Sequence, residues 1–381
     1  MTTEPPFTIE VYDKEFVRQG WIGNPTSVTC IPRHNQVDKL TVTVPTSHIR
    51  LDALTARGAR LVAHYRGEQV FSGPIRTVEG TGPENASQIT VTAEGDKRLL
   101  WRMVGYPVPG NAITNQNALE DKRSGPAETV LKDYLTANLE GPSRWPAHQL
   151  ITVAEDLERG DTISAAVGMQ PLADVLIPLI DQAGIGVSVT QIPGNGNGLL
   201  VDVYEPTSYP RPLSEAGGTV LEWSWTRGAP TATRAIVGGP EDDVTGLRPW
   251  LVTAQTGYET AWYDVIELVV DQRTEDNATA RQSAGLAAVA EQAEKNGFSI
   301  ALGENRTFSY GGPGGVHVGD LVEIQIAGQT ITDVLREAVI TWDKDGGFRA
   351  VPTVGELATP ATTLASFIDR IARNIRAFTA R

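Results

Sequence analysis

The residues in this chain that could do chemistry are five histidines, one cysteine and several close carboxylates. His34, His48, His64, His148 and His317 are scattered, with none at metal-ligand spacing to another. Cys30 stands alone, so no intrachain disulfide or cysteine-rich metal cluster can form; within the strand-like run Ser27 to Ile31 it reads as a buried structural thiol. Asp343-Lys-Asp345-Gly-Gly resembles the start of a calcium loop, but lacks the third acidic position and the closing Glu, so a hairpin turn is expected. Gly194-x-Gly-x-Gly198 joins two strand-like runs and precedes no helix, which argues for a hairpin tip over a dinucleotide loop. Glu155-Asp156 and Glu241-Asp242-Asp243 are adjacent carboxylates and read as solvated loop charges. Trp223 and Trp225 share one face of a strand, as either a sugar platform or a core or subunit contact. No HExxH, GxSxG or GxxxxGK[ST] motif occurs. The expectation is no enzyme, no catalytic residue, no metal and no cofactor.

The elements around these residues are mostly strands. Leu61, Ala63 and Tyr65 alternate with Arg60, Val62 and His64, the period of a half-buried strand. Arg66-Gly67-Glu68 supplies a tight turn, Val70-Phe71 starts the return strand, and Gly73-Pro74 predicts a bulge or an edge. Ile89, Val91 and Ala93 mark a further strand, followed by a helical turn for which Asp96 is a candidate cap. With Phe7 to Val11, Val28 to Ile31 and Leu40 to Val44 these predict an antiparallel domain over residues 1–108.

The character changes over 109–215, an α+β insertion. Ser124 is its expected helix cap; Ala127, Val130, Leu131, Tyr134, Leu135 and Leu139 share one helical face. Leu172, Val175, Leu176, Leu179, Ile180 and Ala183 mark a second helix that contains Pro178. Strands resume over 216–240 and 298–357, with an inserted lobe at 241–297 whose helix is predicted over 278–295, Leu286, Val289, Ala290 and Ala293 inward and Asn296-Gly297 as its stop. Residues 358–381 predict an amphipathic helix that either docks on its own domain or seeks a partner. A hairpin echo links the two β regions: Leu61-Val62, Gly67, Val70 and Ile75-Arg76 align with Leu321-Val322, Gly328, Ile331 and Leu335-Arg336, given two one-residue length differences.

The charge of −14 argues against a phosphate-gripping surface over most of the molecule. The start, MTTEPPFTIE, lacks the basic and apolar regions of a secretory signal, and no run approaches a membrane span; synthesis in the cytoplasm without a signal peptide is expected.

The runs VFSGPIRTVEG, QITVTAEGDKRLLWRMVG, SGPAETVLKDYL and PLADVLIPLIDQAGIGVSV, followed by Arg234-Ala-Ile-Val-Gly-Gly239, VGDLVEI and VITWDKDGGF, resemble the minor tail or baseplate hub proteins of long-tailed actinobacterial phages. That resemblance implies an α+β, predominantly β fold with two related antiparallel β-barrel hub domains and insertions. It implies a homotrimer forming a ring at the distal tip of the virion tail, closing a six-fold tube. The implied partners are the distal tail or tail tube protein, the tape measure protein and receptor-binding components, with DNA passing unbound through the channel. Outward residues of the first hairpin, His64 and Arg66, become candidate interface positions, as do Phe367, Ile371, Arg373, Ile375, Arg376 and Phe378 of the terminal helix. A carbohydrate- or receptor-binding virion module is the alternative, and a peptidoglycan hydrolase a remote one.

Overall fold

The computed structural model describes residues 6–83, 87–140, 150–242, 244–273, 277–292, 295–305 and 308–354. Two compact units emerge: Met1–Glu222 with Ile300–Gly355, and the lobe Trp223–Ser299. The expected terminal helix, with all six of its candidate interface residues, lies outside the described residues.

The first unit opens with β1 (Phe7–Tyr12), β2 (Arg18–Trp21), β3 (Ser27–Ile31), β4 (Lys39–Pro45), helix α1 (Leu51–Thr55), β5 (Arg60–Tyr65), β6 (Glu68–Thr81) and β7 (Gln88–Glu94). Alternation does what it predicts: Phe7, Ile9 and Val11, then Val28 and Cys30, Leu40, Val42 and Val44, and Val91 and Ala93 are all buried. A 3-10 turn, Asp96–Arg98, runs into α2 (Leu99–Arg102). Asp96 is not its cap. Gly95 holds that position without a side-chain bond, while the buried Asp96 carboxylate accepts from Arg60 at 2.6 Å and Ser72 at 2.8 Å.

The insertion follows, with β8 (Val104–Gly105), β9 (Asp121–Pro126), α3 (Ala127–Glu140), β10 (Ile151–Val153), β11 (Thr162–Val167), β12 (Gln170–Pro171), α4 (Leu172–Gln182), β13 (Gly186–Gln191), β14 (Leu199–Tyr204) and β15 (Leu213–Ser214). Both helical faces read from the sequence are the packed ones: Ala127, Val130, Leu131, Tyr134 and Leu135 from α3 meet Leu172, Leu176 and Ile180 from α4 in one core. Leu99, Leu100 and Met103 join that core, so residues expected in the first β domain pack with the insertion. Ser124 is a second correction. It lies inside β9, where the ladder to β11 sets its backbone and its hydroxyl donates to the Ile163 carbonyl at 3.1 Å. Glu128, wholly buried at the start of α3, accepts from Lys132 at 2.6 Å and from Arg159 at 2.7 and 2.8 Å. Those Arg159 bonds outweigh burial and hold its carboxyl far below the usual range.

β16 (Val220–Gly228) leads into the lobe, built from β17 (Arg234–Gly238), β18 (Trp250–Ala254), α5 (Thr256–Trp262), β19 (Glu267–Asp271) and α6 (Ala278–Glu291). The order β18-β17-β19 makes its own three-stranded sheet, so β17 belongs with the lobe and not with the later strands. Helix α6 lies on one face of this sheet, with Val289 against Ala235 and Val237. A Cβ on Gly285 would come within 2.5 Å of Thr253, which explains a glycine inside a helix. The helix ends earlier than predicted, because Asn296-Gly297 already lies in β20; Leu286 and Ala290 face solvent.

The chain finishes with β20 (Lys295–Leu302), β21 (Leu321–Ile326), β22 (Gln329–Asp343) and β23 (Gly347–Val354). One hydrogen-bonded path, β16-β20-β23-β22-β3-β4-β7-β6-β5-β1-β2, unites the two β regions, with β21 and β15 attached at β22. The protein is thus predominantly β, with mostly antiparallel pairings and parallel ones at β10–β14, β15–β21 and β17–β19; among the described residues the main path stays open and closes no barrel.

Candidate assembly site

The hairpin echo is a repeat of geometry. Both hairpins turn on two residues with positive φ: Arg66 and Gly67 at 52° and 87°, Ala327 and Gly328 at 48° and 75°. A two-residue turn of this kind matches the twist of its strands. Each hairpin returns along a strand well over twice the usual length of about 5–6 residues. Each long strand slips its register at an arginine: Arg76 falls between the pairs Ile75↔Ala93 and Thr77↔Thr92, and Arg336 between Leu335↔Val354 and Glu337↔Thr353. At that bulge the strand leaves its hairpin partner and joins the next one, β7 or β23. One of the two length differences is a further bulge beside Val70, and the other is one additional residue in β21.

Gly73-Pro74 does not stop β6. A Cβ on Gly73 would fall 2.0 Å from the Glu94 carbonyl, so the glycine permits two backbones to cross where the strand changes partner.

The repetition extends to five strands. In chain order β3, β4, β5, β6, β7 and β16, β20, β21, β22, β23 occupy the same sheet order, 3-4-7-6-5 and 16-20-23-22-21. The two sets join where β3 runs antiparallel to the far half of β22, pairing Cys30 with Ile340 and Val28 with Trp342. The seam continues past the ladder: Ala338 N–H donates to the Pro32 carbonyl at 3.2 Å, His34 N–H to the Arg336 carbonyl at 2.8 Å, and Arg33 pairs with Glu337 at 2.9 Å. Ala338, Val339, Ile340 and Trp342 are buried.

The matching positions elsewhere are uncovered. The far half of β6 pairs with β7 along one edge, and among the described residues no strand lies along the other; Arg76 to Thr81 are exposed, Val78 at 42%. Likewise, among the described residues, β16, the counterpart of β3, ends the strand order, with β20 as its neighbour.

A polar knot braces the seam. Asp181, at the end of α4, accepts from Arg336 at 2.6 and 2.7 Å and from Asn35 at 2.8 Å, and lies 3.2 Å from the His34 ring. The other His34 nitrogen meets Tyr204 Oη at 2.8 Å. Burial opposes the Asp181 charge, yet these donors hold its carboxyl well below the usual range. Nothing in the sequence pairs residues 34, 181 and 336; only their adjacency in space does.

Of the two described interface candidates, His64 is half-buried on β5, opposite Thr8 and Gln69. Arg66 reaches along its own chain: its guanidinium donates to the Tyr310 carbonyl at 2.8 Å and sits 3.3 Å from Glu304. Asp343 serves a hairpin turn, accepting from the Asp345 and Gly346 amides at 2.9 and 3.0 Å. Gly194 to Gly198 form the β13–β14 tip, where the Gly196 amide donates to the Phe16 carbonyl. Asp242 Oδ1 accepts from Val244 and Thr245 within an exposed loop, and Asp156 from Glu158. Cys30 is buried, with its thiol pushed up by burial. Trp223 is half-buried. Among the described residues, no three His, Cys, Asp or Glu side chains gather closely enough to hold a metal ion, and no helix is long and apolar enough to cross a membrane.

A family model described as Siphovirus ReqiPepy6 Gp37-like protein matches residues 8–356. The chain belongs to this family. Its fold is similar to the 43 kDa tail protein of prophage MuSo2 from Shewanella oneidensis, with a TM-score of 0.54 at 13% identity over 91% of this chain and 98% of that one. A tail protein from Neisseria meningitidis MC58 is similar at a TM-score of 0.52 and 11% identity, over 92% and 96%. No curated protein matches by sequence. The Gp37-like chain therefore shares the fold of these two tail proteins.

Proposed function

We propose that this Gp37-like protein builds a ring at the distal tip of the tail, three copies joining head to tail as β16 of one pairs with the far half of β6 in the next. The observation that carries the reading is the repeated five-strand order, with one seam satisfied inside the chain and, among the described residues, no strand laid along the two matching edges. An interface whose two sides differ closes into a ring when its rotation permits. Each copy brings two repeats, so three copies present six, the symmetry of a tail tube; the number three is carried by the family resemblance. In this ring the two β regions act as the paired barrel-like hub domains, distal tail, tape measure and receptor-binding proteins meet its rims, and an acidic bore lets DNA pass unbound. His64 and the exposed Arg66 turn keep their place as contact positions, as do the apolar and arginine positions of the terminal segment.

Light scattering on the full chain tests the reading. A discrete three-copy species is expected, and Val78→Pro should reduce it to single copies. Val78 corresponds to Ala338, whose N–H points into the seam, and proline removes that donor. A wild-type chain that stays monomeric even with the tube-end protein present would sink the ring.

A second reading has its own support in the lobe. Trp250, 54% exposed, lies over Gly238 with the Arg248 guanidinium 5.0 Å from its ring, and Arg248 pairs with Asp271. An aromatic face flanked by fixed polar groups suits a saccharide. Glycan-array binding lost in Trp250→Ala would support it; an array without signal would remove it.

A further inference from the structure

Beneath β14 and the α2 turn the first unit holds a cleft of about 730 Å3, in the size range of ligand sites. It opens between the loop after β1, the start of β5, the segment Asp96 to Arg102 and the strands β10 and β14. Phe16, Ile151 and Leu199 give it an apolar floor. Its charged lining is Lys14, Arg60, Arg98 and Arg102 against Glu15 and Asp96, an excess of positive charge in a chain whose net charge is −14.

The nearby carboxylates are already engaged. Asp96 is taken by Arg60 and Ser72, and Arg60 also donates to Gln191 at 3.1 Å and lies 4.4 Å over the Phe16 ring. Glu94 is shared, 3.2 Å from Arg98 and 3.5 Å from Arg76. Glu15 pairs with Lys14 at the exposed rim. Burial, and then repulsion from the neighbouring guanidiniums, makes the charged forms of Arg98 and Arg102 less favourable than usual. An incoming anion would relieve that repulsion, and a guanidinium can grip a carboxylate through two parallel bonds.

We infer that this cleft receives an acidic, partly apolar peptide segment from a second protein, its carboxylates on Arg98 and Arg102 and its apolar side chains on the Phe16 floor. A nucleic acid fits less well, because it wants a continuous basic stripe and finds here four basic side chains interleaved with Glu15, Asp96 and the apolar Phe16, Ile151 and Leu199. The site is independent of the ring: it shares no residue with the β16 or far β6 edges.

Fluorescence anisotropy on the full chain provides the test, with a labelled Leu-Glu-Ile-Glu-Leu-Asp peptide as probe. Saturable binding is expected, weaker at higher salt, and weaker by about tenfold or more in Arg98→Ala/Arg102→Ala, as befits lost charge-assisted bonds. Arg102→Lys, which keeps the charge but not the two parallel bonds, should fall between wild type and the double variant in affinity, a ranking that a loss of fold would not produce. The Gln/Asn version of the peptide should not bind. Absence of saturable binding overturns the inference. So does full displacement by inorganic phosphate with both peptides equal, which assigns a free oxyanion, or equal affinity for a DNA oligonucleotide.

Discussion

The far halves of β6 and β22 are the same device in two settings. Each follows a positive-φ turn and an arginine bulge, and each pairs with the next strand of its sheet. One is covered by β3 and carries Ile340 and Trp342 into the core; the other shows Val78 to water. The difference shows that burial here is decided by the neighbour and not by the strand's own pattern; in the proposed ring the exposed strand is the unmatched half of the same interface.

The largest expected effect contrasts the two settings directly. Ile340→Ala should cost about 2–4 kcal/mol in denaturant unfolding, whereas Val78→Ala should stay within about 0.5 kcal/mol. Equal costs would mean that the β6 edge is already covered in the isolated chain. The bulge arginines come next. Arg336→Ala removes two short bonds to Asp181 and should cost about 2 kcal/mol, while Arg76→Ala, half-exposed and 3.5 Å from Glu94, should cost no more than about 0.5 kcal/mol.

The turns should instead behave alike. Gly67→Ala and Gly328→Ala place a Cβ in open space but at φ of 87° and 75°, so each should lose about 1 kcal/mol through backbone strain alone. A clear inequality would break the equivalence of the hairpins.

The smallest effect is a pH dependence found on one side only. His317 lies 3.5 Å from Asp320 and 2.8 Å from Glu68, at the start of β6; the matching position in β22 is the uncharged Gln329. Asp320 chiefly, against burial and with help from Glu68, raises the His317 pKa above its ordinary 6.5. Its contribution is therefore fully present below about pH 6.5 and is lost as pH rises through the raised value. The pair is partly exposed, so the change should be only about 0.5 kcal/mol, read as a pH-dependent gap in melting temperature between wild type and His317→Gln.

Much of this was legible in the residues. Alternating Val and Thr placed β4 and β7, the 3.6-residue stripes placed α3 and α4, and Gly67 and Gly328 marked both turns, because each signal is local. The misreadings had distant causes. Ser124 and Asp96 looked like helix caps until a neighbouring strand and Arg60 claimed them. Arg234 to Gly238 read as one more strand of the later sheet, since nothing in five residues says which sheet will take them. The contact candidates split along the same line: His64 and Arg66 could be located from the alternation and the turn, while the Asp181–Arg336 knot and the arginine cleft depend on chain segments far apart in sequence.

The seam between β3 and β22 has one more consequence. Because it forms within a single chain, the angle between successive repeats is set when that chain folds, before any other copy arrives. In the proposed ring each copy would then bring a preformed sample of the curvature, and assembly would only need to reproduce an angle already drawn.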